Sequence, residues 1–209
     1  MRKIKICGLS REEDIEAANR FRPDFIGFVF AESSRRVSRE TAGHLRSLLL
    51  KSIPAVGVFV NEAPDCVVSL LEENIIDMAQ LHGDEDEEEI RYIKKKCGKP
   101  VLRAVRVRSI EDIRKAGATA ADYLLFDEGR GSGNSFDWKI LKQYLSDKGE
   151  PPLKPYFLAG GISLENIASA LEIPSFGIDL SGGAETDGKK DPEKMEALIL
   201  AVHGNGIKS

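Results

Sequence analysis

The sequence of 209 residues has no run of ~20 apolar residues, the length that crosses a bilayer, so neither a membrane span nor a membrane partner is expected. Its start, Met1-Arg2-Lys3, leads into an alternating stretch without the apolar core of a secretory signal, and a cytoplasmic chain is expected. Cysteine is scarce. Cys7, Cys66 and Cys97 are odd in number and show no C-x-x-C spacing, which argues against a disulfide framework and fits a reducing compartment. His44, His82 and His203 lie far apart and make no metal-ligand pattern, so no metal is expected. No basic stretch stands out and the formal net charge is −4, so the expected partner is a small molecule and not a nucleic acid. No linker interrupts the chain, and one domain over residues 1–209 is the expectation.

What is present is a regular alternation. Strand-like stretches are read at Ile4–Cys7, Asp24–Phe30, Pro54–Val60, Asp77–Leu81, Pro100–Val107, Ala121–Asp127, Pro155–Ala159 and Ser175–Leu180. Helical stretches follow each. Ser10 with Glu13 has the spacing of a capping box, Ser38 that of an N-cap, and Ser163 is expected to start the seventh helix. The run Asp84–Glu89 followed by Lys94–Lys96 suits a solvated helix with acid at its positive end and base at its negative end. Eight strand–helix pairs predict an α/β fold, a closed (β/α)8 TIM barrel. Two loops after strands are long, Ala31–Val37 and Glu128–Phe136. The second is glycine-rich enough for a lid. Ser146–Lys154 enters the barrel from the opposite face and reads as a plain connection.

In such a barrel, ligands bind at the C-terminal ends of the strands. Cys7 stands there on strand one, on the face shared with Lys5. As a free cysteine it also reads as a small buried residue. Asp127 stands there on strand six, sharing a face with Leu125. It can project into the mouth or cap the loop beyond it. Gly160-Gly161-Ile162 and Ser181-Gly182-Gly183 put glycine turns at the ends of strands seven and eight, the corner where barrels hold phosphate. Arg35 and Arg36 can clamp a carboxylate or lie solvated on the surface.

Read together, Lys5–Gly8, Gly27–Phe30, Ser34–Ser38, Gly57–Asn61, Gln80–Gly83, Leu125–Asp127, Gly131–Gly133, Phe136–Trp138, Gly160–Ile162 and Asp179–Gly183 resemble phosphoribosylanthranilate isomerase. The motifs run in order along the whole chain. The resemblance implies an Amadori rearrangement of N-(5-phosphoribosyl)anthranilate, a phosphosugar, in tryptophan biosynthesis. It implies no cofactor. By position, Cys7 would be the general base and Asp127 the general acid. Arg36 would bind the anthranilate carboxylate, and the two glycine turns the phosphate. Lys5, His82 and Asp179 would also contact substrate. A cation beside Cys7 would favour its thiolate, and Lys5 is the candidate. The arginine loop departs from the family, which more often has a proline and one arginine followed by an aromatic. Gly182-Gly183 stands where Ser-Gly is usual. The chain is expected to be a monomer or a homodimer.

Two rivals have distinguishing features. A related phosphosugar barrel would use a lysine acid or paired aspartates, neither of which explains Cys7. A phosphate-binding module without activity would keep the glycine turns and need neither Cys7 nor Asp127.

Overall fold

A computed structural model describes residues 1–127 and 138–204. Among these, eight parallel strands close into a barrel in sequence order: β1 Lys3–Cys7, β2 Phe25–Val29, β3 Ala55–Phe59, β4 Met78–Leu81, β5 Val101–Arg106, β6 Tyr123–Asp127, β7 Tyr156–Leu158 and β8 Gly177–Leu180. Pairing of β1 with β8, Lys5 opposite Asp179, completes the ring. The helices between them are α1 Glu12–Phe21, α2 Arg39–Leu48, α3 Pro64–Glu72, α4 Glu87–Cys97, α5 Ile110–Ala116, α6 Trp138–Ser146, α7 Ile167–Leu171 and α8 Pro192–His203. The (β/α)8 expectation is met.

The helix ends follow side-chain chemistry. The Ser38 side chain accepts from Thr41 N–H, and Ser109 accepts from Asp112 N–H. Asp86 accepts from the N–H groups of Glu88 and Glu89. The Ser10 cap is corrected: Asp14 accepts from the N–H groups of both Ser10 and Arg11, which moves the start of α1 to Glu12. The seventh helix is also corrected, because it begins at Ile167 and not at Ser163. Asp137 and the loop Glu128–Phe136 lie outside the described residues.

A third long loop after a strand escaped the sequence reading. Beyond β8, a 3-10 turn at Gly182–Ala184 leads into an antiparallel hairpin, β9 Glu185–Thr186 and β10 Lys189–Lys190. Asp187 and Gly188, at φ 52° and 74°, make its turn.

Two apolar clusters hold the fold together. The larger lies between strands and helices and joins Ile4, Ile6, Phe28, Phe59 and Phe126 to Ile15, Leu45, Leu71, Ile90, Ile113, Leu141 and Leu198. The smaller consists of Val56, Met78, Leu102, Leu125, Phe157 and Ala159. Strand alternation turns these residues away from the helices, so they fill the inside of the barrel and make a floor. Two residues further along the same faces stand Gln80 above Met78 and Asp127 above Leu125.

Candidate active site

Because all eight strands run the same way, the ends of β1 and β6 share one rim. Cys7 is 7% and Asp127 9% exposed, so each still reaches the surface there. Gly27 lies opposite Cys7 across the β1–β2 register. A Cβ at Gly27 would stand 2.7 Å from the Cys7 Sγ, and only glycine leaves the sulfur its room.

Lys5 is fully buried one pleat below Cys7. Its Nζ donates to Asp179 Oδ1 at 2.8 Å and to Gln80 Oε1 at 2.9 Å. A buried ammonium is tolerated only when paired in this way. Burial pulls the Lys5 pKa down, but Asp179 and the neighbouring Cys7 outweigh it and leave it raised. For Cys7 the balance is the opposite. Burial pushes the thiol up, Lys5 and Lys190 pull it down, Asp179 pushes it up again, and it rests above the ordinary thiol range. Lys5 pulls the Cys7 thiol in the direction expected of a neighbouring cation, but its charge is shared with Asp179 and Gln80 and does not offset the burial.

From Lys5 the contacts continue across the barrel. Gln80, buried on β4, meets His82 through Nε2 and Nδ1 at 3.0 Å. His82 Nε2 then lies 3.5 Å from Asp127 Oδ2. The loop that carries His82 is fixed from behind. Its N–H donates to Phe59 O at 2.9 Å. The buried Glu85 carboxylate accepts from Asn61 N–H at 2.7 Å and from Gly83 N–H at 2.8 Å, joining the loops after β3 and β4.

The two arginines divide. Arg35 donates through Nε and Nη2 to the two oxygens of Glu185, each at 2.7 Å. It lies close over Gly8, directly after Cys7 in the chain. Glu185 also holds Lys190, whose Nζ reaches Ser181 O at 3.1 Å. Burial favours the neutral Glu185, but the bonds from Arg35 and Lys190 overcome it and hold the carboxyl below its usual range. Burial lowers the Lys190 pKa, and Glu185 only partly restores it. Arg36, the expected carboxylate clamp, is exposed and pairs within its own loop with the exposed Glu32. Its backbone is fixed by a bridge to Val29. The arginine beside Cys7 is thus Arg35.

At the expected phosphate corner the two turns touch. A Cβ on Gly183 would fall 1.9 Å from Ile162 O, so backbone meets backbone there. Asn166 braces the first turn, accepting from Ser163 N–H at 2.9 Å and donating to Gly161 O at 2.8 Å. With α7 starting only at Ile167, a helix terminus at Ser163 contributes nothing to this corner.

The structure therefore brings together Cys7, Lys5, Asp179, His82 and Asp127, and separately the turns Gly160–Ile162 and Ser181–Gly183. Sequence reasoning missed Gln80, Glu185, Lys190 and Asn166 as site residues. A glutamine inside the apolar strand Met78–Leu81 was a usable signal for the first, and Asp187-Gly188 marked the hairpin that delivers Lys190. Among the described residues no group of His, Cys, Asp and Glu is arranged to hold a metal ion.

Residues 4–201 match the family model described as N-(5'phosphoribosyl)anthranilate (PRA) isomerase. A relative from Endomicrobium trichonymphae, named N-(5'-phosphoribosyl)anthranilate isomerase, is 46% identical over 93% of this chain and 95% of its own. One of the same name from Clostridium acetobutylicum is 43% identical over 97% of this chain and 98% of its own. Among solved structures, the phosphoribosyl anthranilate isomerase of Thermus thermophilus is 32% identical, with a TM-score of 0.84 over 98% of this chain and 99% of that one. Another phosphoribosyl anthranilate isomerase, in complex with reduced 1-(o-carboxyphenylamino)-1-deoxyribulose 5-phosphate, is 30% identical, with a TM-score of 0.82 over 98% of this chain and all (100%) of that one.

Proposed function

The chain belongs to the N-(5'-phosphoribosyl)anthranilate isomerase family, and we propose that it works through Cys7 as general base and Asp127 as general acid. The protein is an isomerase of tryptophan biosynthesis that converts N-(5'-phosphoribosyl)anthranilate into 1-(2-carboxyphenylamino)-1-deoxyribulose 5-phosphate. Protonation of the ribose ring oxygen opens the ring and leaves an iminium at C1. The iminium acidifies the C2 proton. Its removal gives an enol-amine that settles as the ketone. The oxidation at C2 and the reduction at C1 occur within one molecule, so the balance calls for no cofactor.

Asp127 delivers the first proton, and Cys7 takes the one from C2. One observation carries this reading: the two groups end β1 and β6 on the same rim, joined by the run Lys5–Gln80–His82–Asp127. Burial raises the Cys7 pKa against the pull of Lys5 and Lys190. The substrate's iminium adds positive charge that favours the thiolate, so that the thiol proton passes to water at the open rim before the Cys7 thiolate accepts the proton from C2.

Arg36 takes the anthranilate carboxylate, because its partner Glu32 is an exposed group that a substrate carboxylate can displace, whereas the Arg35 fork is already taken up by the buried side chain of Glu185. The turns Gly160–Ile162 and Ser181–Gly183 take the phosphate through backbone N–H groups, and Asp179 holds Lys5 in place. The lid role of Glu128–Phe136 rests on its sequence alone. A cytoplasmic setting fits the three free cysteines. Among the described residues no helix is long and apolar enough to cross a membrane. A monomer and a homodimer both fit this site, and the Thermotoga maritima relative, 30% identical, is described as dimeric.

The test uses freshly made phosphoribosylanthranilate and follows its fluorescence. Cys7→Ala and Asp127→Ala should each stop turnover while still binding a reduced product analogue. Turnover at the wild-type rate in either variant overturns that residue's assignment.

A further inference from the structure

Gln80 moves no proton in the acid–base reading, yet it is buried at the centre of the site and touches both halves. Its amide has one acceptor oxygen and one donor nitrogen, and the surroundings decide which faces which. Lys5 Nζ, 2.9 Å away, is an ammonium and can only donate. The Gln80 oxygen must therefore face Lys5, and the NH₂ must face His82 Nδ1 at 3.0 Å. An NH₂ group needs an acceptor there, so His82 Nδ1 carries no proton. The ring proton then sits on Nε2, which points at Asp127 Oδ2 from 3.5 Å.

From this chain of donors and acceptors we propose that Gln80 is a positioning residue that locks His82 in its Nε2–H tautomer, so that His82 steadies Asp127 through the proton transfer. The proposal rests on Asp127 being the general acid. With Nε2–H donating to Oδ2, the transferable proton of Asp127 belongs on Oδ1. Once that proton has gone to the ring oxygen, a carboxylate remains, and the His82 N–H is already aimed at it. The contact is long for a hydrogen bond, as contacts at a reacting group often are before substrate tightens them. Lys5 thereby serves both ends of the site. It lies under Cys7 on one side, and on the other its charge fixes the amide that fixes the imidazole. His82, expected as a substrate contact, becomes the partner of Asp127.

The test reads the tautomer directly. The chain has three histidines, His44, His82 and His203, so protein labelled with ¹⁵N-histidine gives a spectrum in which a His82→Gln sample identifies the His82 signals. Wild-type His82 should show a protonated Nε2 and a bare Nδ1. Gln80→Glu keeps the shape but replaces the donor facing Nδ1 with an acceptor. It should move the proton to Nδ1 and lower kcat by about 10–100-fold with little change in KM, the range for losing a partner that orients a metal-binding histidine. Gln80→Met removes the donor without adding charge and serves if the glutamate variant fails to fold. It should give a mixture of tautomers and a smaller loss of kcat. His82→Gln, which still offers an N–H near the Nε2 position, should retain more activity than His82→Leu. A wild-type His82 protonated on Nδ1 overturns the proposal. So does a Gln80→Glu or Gln80→Met protein whose tautomer changes while kcat stays at the wild-type value. The acid assignment is judged separately by Asp127→Ala. If that variant is active, the Asp127 reading fails whatever the tautomer. If it is inactive and the His82 proton is on Nδ1, only the Gln80 inference fails.

Discussion

At the N-terminal rim of the barrel, Asp24, Asp77 and Asp122 stand directly ahead of β2, β4 and β6. Each accepts the N–H of a residue in the preceding strand, Ile4 at 3.0 Å, Ala55 at 2.9 Å and Val101 at 2.9 Å. Each also has a cationic neighbour of its own: Lys3 for Asp24, Arg46 for Asp77 and Lys94 for Asp122. The fourth such position, ahead of β8, is Phe176, which packs its ring on Tyr123 and Phe157 at 5.3 Å. The C-terminal rim is built differently. Asp179, Lys5, Gln80, His82 and Asp127 form one run from β8 through β1 and β4 to β6. The lower rim is a set of separate clamps, and the upper is one linked network. Independent clamps stabilise the fold and fail one at a time. A network in which each donor has its acceptor fixed by the next member orients reacting groups and fails as a unit.

The contrast is broken most severely at the upper rim. Asp127→Asn should lower kcat by about 10²–10⁴-fold, the usual worth of a placed acid, while thermal unfolding moves only a few degrees. Arg36→Ala should raise KM by about 10–100-fold, as expected for one charge-assisted contact, while Arg35→Ala strips the buried side chain of Glu185 of its partner and should lower stability more than it raises KM. Steady-state kinetics on the two single variants would reverse the assignment if Arg35 proved the costly one in KM.

The lower rim should respond in stability alone. Asp24→Ala leaves the Ile4 N–H and two basic side chains without their acceptor and should cost about 1–3 kcal/mol, with kcat unchanged. Combined with Asp122→Ala, the losses should add to within ~0.5 kcal/mol in denaturant titrations, whereas Lys5→Met with Asp179→Asn should depart from additivity by about 0.5–3 kcal/mol.

The smallest effect is on pH dependence. Burial raises the Asp24 pKa, but the bonds from Lys3, His203 and the Ile4 N–H outweigh it and hold the carboxyl below the ordinary aspartate range. A depressed folded pKa gives stability that is present above the unfolded value and is lost as pH falls through the folded one. The gap in Tm between wild type and Asp24→Asn should therefore be full at pH 7 and close in strong acid. A gap of constant size would remove Asp24 from the pH account.

Much of this was legible beforehand. The alternation of strands and helices, the cap at Ser38 and the charge order of α4 depend on neighbours within a few residues, and such patterns are written locally. So was the placing of Cys7 and Asp127 at strand ends, which follows from a period of two. The helix starts at Ser10 and Ser163 were misread because Asp14 and Asn166 bind the N–H groups of those serines themselves, and the caps fall at Arg11 and Asn166. Arg35 and Arg36 are adjacent and alike, and nothing local separates them. Their difference comes from Glu185, 150 residues from Arg35 along the chain, and from the bridge that fixes Arg36 to β2.

The sequence by itself determined the order of the elements and the kinds of side chain carried to the mouth, because backbone periodicity and turn chemistry act over short distances. Only the closed barrel decided which of those side chains meet. Lys5 reaches Gln80 across 75 residues of chain and Asp179 across 174, and both contacts exist because β1 pairs with β8 in one register and shares the interior with β4. That register, a property of the whole ring, gives the Lys5 ammonium its two acceptors and sets the orientation of the Gln80 amide.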